Sequence, residues 1–564
     1  MTKKKIIIIG GAAAGPKVAS RARRLDQNTE IIIIQKENDL SMASCGYPYY
    51  VGGVFNNRNQ LICSPTGVVR DPKFFMNAKG ITAYNNMEAI EIDKKRHSVK
   101  CIDLMTKSGK SFDYDKLILC TGSKPKMPPI RGIELEGITT LKSMKDADYL
   151  RKIRDEKKVK KAIVIGGGLI GIETCEALHL AGIQITIIEM LPQILPFLDK
   201  NLSKLIENHI KSKGANVITN NGVKEFIGKD GKLVGVKLTN GTELECEFAL
   251  IAIGVSPDIE LAKKYGLEIG KFNGIIVNEY MQTSDQDIYA AGDCVEIKNL
   301  ITSNMDYAPL GDLANLQGRV AGENAVRGNK AKFKGTIRTG ICKVFDFIAG
   351  STGLSEEEVK KNGFEPISVI TAGPDKPGFM GSRILINKMI ACKKTGRLLG
   401  FQCVGSGDAS KQIAQASMAI LGKLTIDDLV NADLPYAPPF TLAIDNFIMT
   451  AHVLENKING LMKGISNEEV KNKIERKEDV FLLDVRGADE FEQMRLGIGE
   501  TLIPLGALRN RLDELPQDKN KEIICYCKIS LRGYEAALVI ESNGWNNVKV
   551  MEGGIVAWPY PCEK

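Results

Sequence analysis

The sequence has no run of about 18 apolar residues, the length a helix needs to cross a bilayer. Its one apolar run behind N-terminal basic residues, Ile6–Ile9 after Met1-Thr2-Lys3-Lys4-Lys5, stops at Gly10, too soon for the core of a secretion signal. A cytoplasmic protein without membrane partners is therefore expected. No long Lys/Arg block stands out, and 76 basic against 68 acidic residues leave a net charge of only +8. Nor is there a nucleic-acid-binding motif, so no nucleic-acid partner is expected. Low-complexity segments and solenoid repeats are missing as well. The 13 cysteines are scattered and odd in number, with no secreted-type disulfide framework. Their thiols are expected to be mostly reduced, which makes any special cysteine catalytic rather than structural. Cys525 and Cys527 form only C-x-C, too little for zinc, and no metal is expected.

What remains is an ordinary folded composition, 43% hydrophobic and 26% charged with mean hydropathy -0.10. A chain of 564 residues is long enough for three to four domains. Two segments repeat one pattern. Ile6–Ile9 reads as a buried strand, Gly10-Gly11-Ala12-Ala13-Ala14-Gly15 as a glycine turn, then a helix through Arg24 and a strand Ile31–Ile34. Ala162–Ile165, the turn Gly166-Gly167-Gly168-Leu169-Ile170-Gly171, a helix to about Ala181 and the strand Ile185–Ile188 repeat it. Such a turn aims backbone N–H groups and a helix dipole at a pyrophosphate. Gly166, Gly168 and Gly171 fit G-x-G-x-x-G, and Glu189 ends the next strand, where a carboxylate binds a ribose hydroxyl and repels a 2′-phosphate. NADH is thus favoured over NADPH. The first turn, with Gly10 and Gly15, departs at two places: Ala12 stands for the second glycine, and the uncharged Gln35 ends the second strand, with Glu37 nearby.

Further segments carry a family resemblance. Leu117-Ile118-Leu119-Cys120-Thr121-Gly122-Ser123, and Thr283-Ser284-Asp285 with Ile288-Tyr289-Ala290-Ala291-Gly292-Asp293, resemble the FAD-binding segments of the two-dinucleotide flavoprotein disulfide reductases. The resemblance covers about residues 3–450 and implies that Thr121, Gly122, Gly292 and Asp293 contact FAD. Ser41-Met42-Ala43-Ser44-Cys45-Gly46-Tyr47-Pro48-Tyr49-Tyr50 holds one cysteine where other members hold two. It is similar to the coenzyme A-disulfide reductase branch, whose usual form is SFANCGLPYY. That likeness implies a single redox thiol, Cys45, alternating between thiolate and a mixed disulfide with coenzyme A. It also implies coenzyme A contacts at Lys17, Arg21, Arg24, Ser41, Ser44 and Lys73; a solvated basic helix face is the alternative for Lys17–Arg24. Met42 and Ser44 replace the family's Phe and Asn. Leu434-Pro435-Tyr436-Ala437-Pro438-Pro439-Phe440 resembles a dimerisation-domain segment in which Tyr436 reaches the partner subunit's active site, although Phe440 is not Tyr. A homodimer follows from that resemblance.

The last hundred residues resemble a rhodanese domain. Asp484-Val485-Arg486 follows one apolar strand, Cys527-Lys528-Ile529-Ser530-Leu531-Arg532 another, and Gly553-Gly554-Ile555-Val556-Ala557-Trp558-Pro559 closes the unit. A thiol in a loop of inward N–H groups over a helix start is suited to carry a persulfide, with Arg532 closing the loop. The usual histidine is absent from Leu496-Gly497-Ile498-Gly499-Glu500, and Cys562 is a possible exchange partner for Cys527.

The fold class expected is α/β, with two Rossmann-like dinucleotide-binding domains, an α+β dimerisation domain and a C-terminal α/β rhodanese-like domain. The boundaries are 1–149 and 269–330 for FAD, 150–268 for NAD(P)H, 331–455 for dimerisation and 466–564 for rhodanese, with a linker over 456–466. The function implied is reduction of coenzyme A disulfide, coenzyme A persulfide or polysulfide at Cys45, fed with sulfane sulfur by Cys527. FAD, NAD(P)H and coenzyme A are the cofactors, and the partners are small thiols, disulfides and persulfides. An NADH oxidase or peroxidase working through a Cys45 sulfenic acid is one alternative. A sulfur-relay or redox-sensing protein with weak turnover is another.

Overall fold

Isoleucine runs build the two parallel sheets, because strands covered by helices on both faces need no polar alternation. The computed structural model of the chain describes residues 3–564. They form two units: one comprises the residues up to Met190 with Asn220–Thr336, the other Leu191–Thr219 with Ile337–Lys564.

In the first unit, Lys5–Ile9 lies between Glu30–Ile34 and Lys116–Leu119, all parallel, with Ile7 opposite Ile32 and Leu117. Ile288–Ala290 and Thr82–Tyr84 complete this sheet at its two edges. The later segment 288–290 thus returns Gly292 and Asp293 to the sheet that carries the first glycine turn. Ile6, Ile7 and Ile8 are fully buried, and each contributes about 1.5–3 kcal/mol by leaving water. The second sheet repeats the plan: Lys161–Ile165 runs between Gln184–Ile188 and Phe248–Ile251, all parallel. The helices expected after the turns are present as Ala14–Leu25 and Leu169–His179.

In the second unit, five antiparallel strands run in the order Gly340–Val344, Phe347–Gly353, Leu398–Gly405, Ile384–Cys392, Pro366–Pro374. Helices Ala409–Leu421 and Asn446–Ile458 pack on this sheet, giving the expected α+β layer. A second, parallel sheet of the same unit orders Gly464–Ile465, Val548–Met551, Glu522–Tyr526, Val480–Asp484 and Thr501–Leu502. Its core gathers Leu482, Ile524, Tyr526, Met551 and Trp558.

Two boundaries differ from expectation. The proposed linker over 456–466 begins inside the helix Asn446–Ile458 and ends in a strand, Gly464–Ile465, that pairs with Val550 and Met551. Its polar composition reflects an exposed helix end rather than a free tether. Leu191–Thr219, expected within the NAD(P)H domain, belongs to the second unit. There Asp199 pairs with Lys388, and its backbone N–H donates to Gln402 Oε1. Among the described residues no helix is long and apolar enough to cross a membrane.

Candidate active site and sulfur-carrier loop

The two glycine turns superimpose in their hydrogen bonding. Gly10 and Gly166 have φ of 107° and 106°. Gly11 N donates to Gln35 Oε1 at 2.7 Å, and Gly167 N donates to Glu189 Oε2 at 2.8 Å. Gln35 thus braces the first turn as Glu189 braces the second, which is why a missing carboxylate does not break the pattern. Glu37 is exposed beyond it. Crowding separates the glycines by task. A Cβ on Gly15 would come within 1.9 Å of Gly10 O and one on Gly171 within 2.1 Å of Gly166 O, whereas a Cβ on Gly168 would meet nothing within 4 Å. The middle position faces open space, as the approach of a pyrophosphate requires, and the exposed Ala12 fits the matching place in the first turn. Thr121 Oγ1 donates to Asp258 O at 2.6 Å, Gly292 N donates to Gln317 Oε1 at 2.7 Å, and Asp293 accepts from Ser123 Oγ at 3.1 Å. The last two bonds order the segment that carries Gly292 and Asp293, and the residues present fit FAD in the first turn and NAD(P)H in the second.

Cys45 sits in a short 3₁₀ turn, Ser44–Gly46, leading into the helix Tyr47–Gly52. No disulfide joins the 13 cysteines, and Cys45 alone is exposed. Its Sγ lies 3.6 Å from where a Cβ on Gly311 would be, so the missing side chain seats the sulfur at the start of the 17-residue helix Gly311–Arg327. The positive end of that helix favours the thiolate. Partial burial works the other way and raises the thiol's pKa, followed by the carboxylates of Glu173, Asp293 and Asp312. Glu173, overlooked in the sequence, is a site residue by position: it lies two residues after Gly171 and accepts from the Tyr49 hydroxyl at 3.1 Å. Burial pushes its carboxyl up to about 7. The detectable signal was an acid in the first half of the mostly apolar helix that follows the second turn.

The basic residues divide. Lys17, Arg24, Arg70 and Lys79 gather as like charges, and the pKa of Lys79 is lowered by burial and then by Arg24, Arg70 and Lys17. Arg70, a second residue that sequence reasoning missed, donates to Ser41 O at 3.1 Å and so ties this cluster to the Cys45 segment. Arg24 and Lys79 line a cavity of about 590 Å³ together with Ser20, Thr29 and Thr82. Arg21 differs from its neighbours: it is ion-paired with Glu323, because the helix Gly311–Arg327 packs along Ala14–Leu25 and delivers a carboxylate there. Lys73 and Ser44 are exposed, and Lys73 takes no ion-pair partner among the described residues. Ser41 is buried with φ of 54°, and its N–H donates to Gly11 O, so it shapes the loop.

In the second unit, Cys527 follows the strand Glu522–Tyr526 and is 1% exposed. Among the described residues, the amides of Lys528–Gly533 donate in no backbone bond outside helices and strands, as a loop that holds a sulfur anion requires. Arg532 interacts with the Cys527 thiol and pairs bidentately with Glu490, which holds the Glu490 carboxyl down at about 2. Arg486, quoted in the sequence motif, is structural: 3% exposed, it pairs with fully buried Asp484. Glu500 accepts from Gly497 N and Ile498 N, both at 2.8 Å, bracing the segment that lacks the histidine. Cys562 packs on the rhodanese core. Tyr436 and Phe440 are 54% and 73% exposed.

Comparison with known proteins agrees with this geometry. The family model described as pyridine nucleotide-disulphide oxidoreductase matches residues 4–309, its dimerisation domain 339–447, and a rhodanese-like domain 466–559. The chain is 33% identical over 463 residues to a protein named NADH oxidase from Methanocaldococcus jannaschii, covering 81% of this chain and 99% of that one. It is 34% identical over 455 residues to the NAD(P)H coenzyme A polysulfide/persulfide reductase of Pyrococcus horikoshii, covering 80% and 99%. The solved structure of an NAD-dependent persulfide reductase from A. fulgidus matches with a TM-score of 0.93 and 41% identity, over 98% of this chain and all of that one. The chain belongs to the pyridine nucleotide-disulphide oxidoreductases, FAD- and NAD(P)H-dependent enzymes, and carries a C-terminal rhodanese-like domain.

Proposed function

We propose that this enzyme reduces the S–S bond of coenzyme A disulfide, coenzyme A persulfide or polysulfide at Cys45, and that Cys527 supplies sulfane sulfur to it. One observation carries the reading: of the 13 cysteines only Cys45 is exposed, and it sits against a helix N-terminus beside the segments expected to bind FAD. The Cys45 thiolate attacks coenzyme A disulfide, forms a mixed disulfide and expels one coenzyme A thiolate. Bound FAD would supply, from NAD(P)H, the two electrons that reduce this mixed disulfide. Cys45 returns as thiolate, and the second coenzyme A leaves as thiol after taking one proton. The cations Lys17, Arg24, Arg70 and Lys79, close to Ser41, suit the phosphates of coenzyme A, with Lys73 and Ser44 at the open side. NADH is favoured over NADPH because Glu189 ends the strand after the second turn.

Ile341, Phe379, Met418, Tyr436, Phe440 and Ile444 expose large apolar surface in the second unit. A second copy of the chain covers them in a homodimer, and Tyr436 serves the partner's site as proton donor. Cysteines held as thiols rather than disulfides suit a reducing cytoplasm.

The test is anaerobic turnover of the FAD-loaded protein with NADH and coenzyme A disulfide, coenzyme A persulfide or polysulfide, beside an oxygen arm. Cys45→Ser is expected to abolish all disulfide turnover. Cys527→Ser is expected to spare coenzyme A disulfide and to impair use of sulfane-sulfur donors. Full turnover by Cys45→Ser rejects the reading. The relative named NADH oxidase supports a second one, with sulfenic acid at Cys45; oxygen turnover outpacing every sulfur substrate selects it.

A further inference from the structure

Arg532 commits both terminal nitrogens of its guanidinium to one carboxylate. Nη1 donates to Glu490 Oε2 at 2.6 Å and Nη2 to Glu490 Oε1 at 2.8 Å. Glu490 cannot swing away easily. It is the third residue of the helix Ala488–Gln493, and its Oε2 also accepts from Gly487 N at 3.3 Å. Its carbonyl accepts from Arg486 Nη1 at 3.2 Å, and Arg486 is itself locked by Asp484 and by Met494 O. The pair is about one-third exposed, 35% at Arg532 and 29% at Glu490, so it stands at the edge of the loop rather than under it.

The charge at this edge is therefore cancelled. The cation expected to attract an anion to Cys527 carries its own counter-ion. Lys528 is the other cation of the loop, and it is exposed to solvent. The rim is also apolar: Leu531 is 60% exposed, while Ser530, held at φ of 75°, turns its hydroxyl inward to Met551 O at 2.5 Å. A small dianion such as thiosulfate would have to approach a fixed carboxylate. An alkyl persulfide brings its outer sulfur to the amides of the loop and its carbon arm to Leu531.

We propose that Glu490 sets the donor class of this loop: Cys527 takes sulfane sulfur from organic persulfides, R–S–SH, and discriminates against thiosulfate. This deepens the reading of Cys527 as a sulfur acceptor and depends on it. In the step, the Cys527 thiolate attacks the outer sulfur of R–S–SH. The donor S–S bond breaks, a Cys527–S–SH bond forms, and R–S⁻ leaves; the persulfide hydrogen is retained and no net oxidation occurs.

The test uses the full-length, FAD-loaded protein and measures persulfide on the Cys527 peptide by mass spectrometry after a short pulse. The donors are coenzyme A persulfide, glutathione persulfide and thiosulfate. In the wild type both organic persulfides are expected to load about 100-fold faster than thiosulfate. Glu490→Gln uncovers one unit of positive charge and is expected to raise thiosulfate loading about 10-fold, with organic persulfides changed less than about 3-fold. Leu531→Ser is expected to slow only the organic donors. A wild-type melting temperature of the second unit's transition reports that each variant has folded. Should Glu490→Gln fail that control, the wild-type donor ratio decides alone. The proposal is overturned if thiosulfate loads the wild type as fast as the persulfides, or if a folded Glu490→Gln keeps the wild-type ratio. If no donor loads Cys527, the sulfur-acceptor reading itself fails and takes the donor assignment with it.

Discussion

The Tyr49 hydroxyl donates to Glu173 Oε1 at 3.1 Å, joining the helix that follows Cys45 to the helix that follows the second glycine turn. Burial raises Glu173 to about 7, against the Tyr49 bond that favours its ionised form and with Glu176 adding to the rise. The folded state therefore holds this proton more tightly than the unfolded chain, whose carboxyl titrates near 4.5. The resulting stability is complete below pH 4.5 and is lost as pH rises through 7. Glu173→Gln removes the titration. Its melting temperature relative to wild type should climb between pH 5 and pH 8, reflecting about 1–3 kcal/mol. A difference that stays flat across that range rejects the assignment.

Gly168 and Gly171 should answer the same substitution differently. An alanine methyl at Gly171 would sit 2.1 Å from Gly166 O, and neither backbone can yield without opening the turn. Gly171→Ala is expected to cost about 1–3 kcal/mol or more and to lose NADH binding. At Gly168 the methyl meets nothing within 4 Å, and Ala12 already occupies the matching place in the first turn. Gly168→Ala should keep wild-type stability within about 0.5 kcal/mol. Equal damage from both variants, by thermal melt and NADH titration, contradicts this division of labour.

Legibility followed the range of the forces involved. Runs such as Ile6–Ile9 and Ile31–Ile34 announce buried parallel strands, so both dinucleotide units could be read from local pattern alone. Gln35 looked like a defect because the sequence shows its lost charge, not its bond to Gly11 N. Arg21 looked equivalent to Arg24 because its partner Glu323 is 302 positions away. The segment 456–466 looked like a tether because polar composition does not distinguish an exposed helix end from a loop. Cys527 and Arg532 were legible as a loop, but Glu490, which neutralises that loop, arrives from another strand–helix unit.

Arg24 and Lys79 line one cavity whose carboxylate, Glu30, is paired with Lys5, whereas Arg21 is paired with Glu323. If coenzyme A phosphates neutralise that cluster, Arg24→Met and Lys79→Met should each raise KM for coenzyme A disulfide about 5–10-fold with kcat nearly unchanged. The penalty should shrink as salt screens the cluster. Arg21→Met should disturb stability more than KM, since it strands Glu323. Steady-state kinetics at low and high ionic strength separate these outcomes, and a KM effect confined to Arg21→Met moves the anion site elsewhere.

Lys388 is buried between Asp199 Oδ2 and Glu356 Oε2, 2.8 Å from each. Burial alone would raise the Glu356 carboxyl, but Lys388 outweighs it and holds the group down at about 2. A depressed carboxylate contributes stability that is present above its ordinary value of 4.5 and is lost as pH falls through about 2. Lys388→Met leaves two carboxylates facing each other out of water, at a cost of about 3–5 kcal/mol near neutral pH. In that variant the carboxyls hold protons to higher pH, so acidification relieves the conflict while it weakens the wild type. The gap in melting temperature between wild type and Lys388→Met should therefore narrow from pH 7 to pH 4. A gap that widens on acidification would mean that Lys388 is not the group that keeps these two acids ionised.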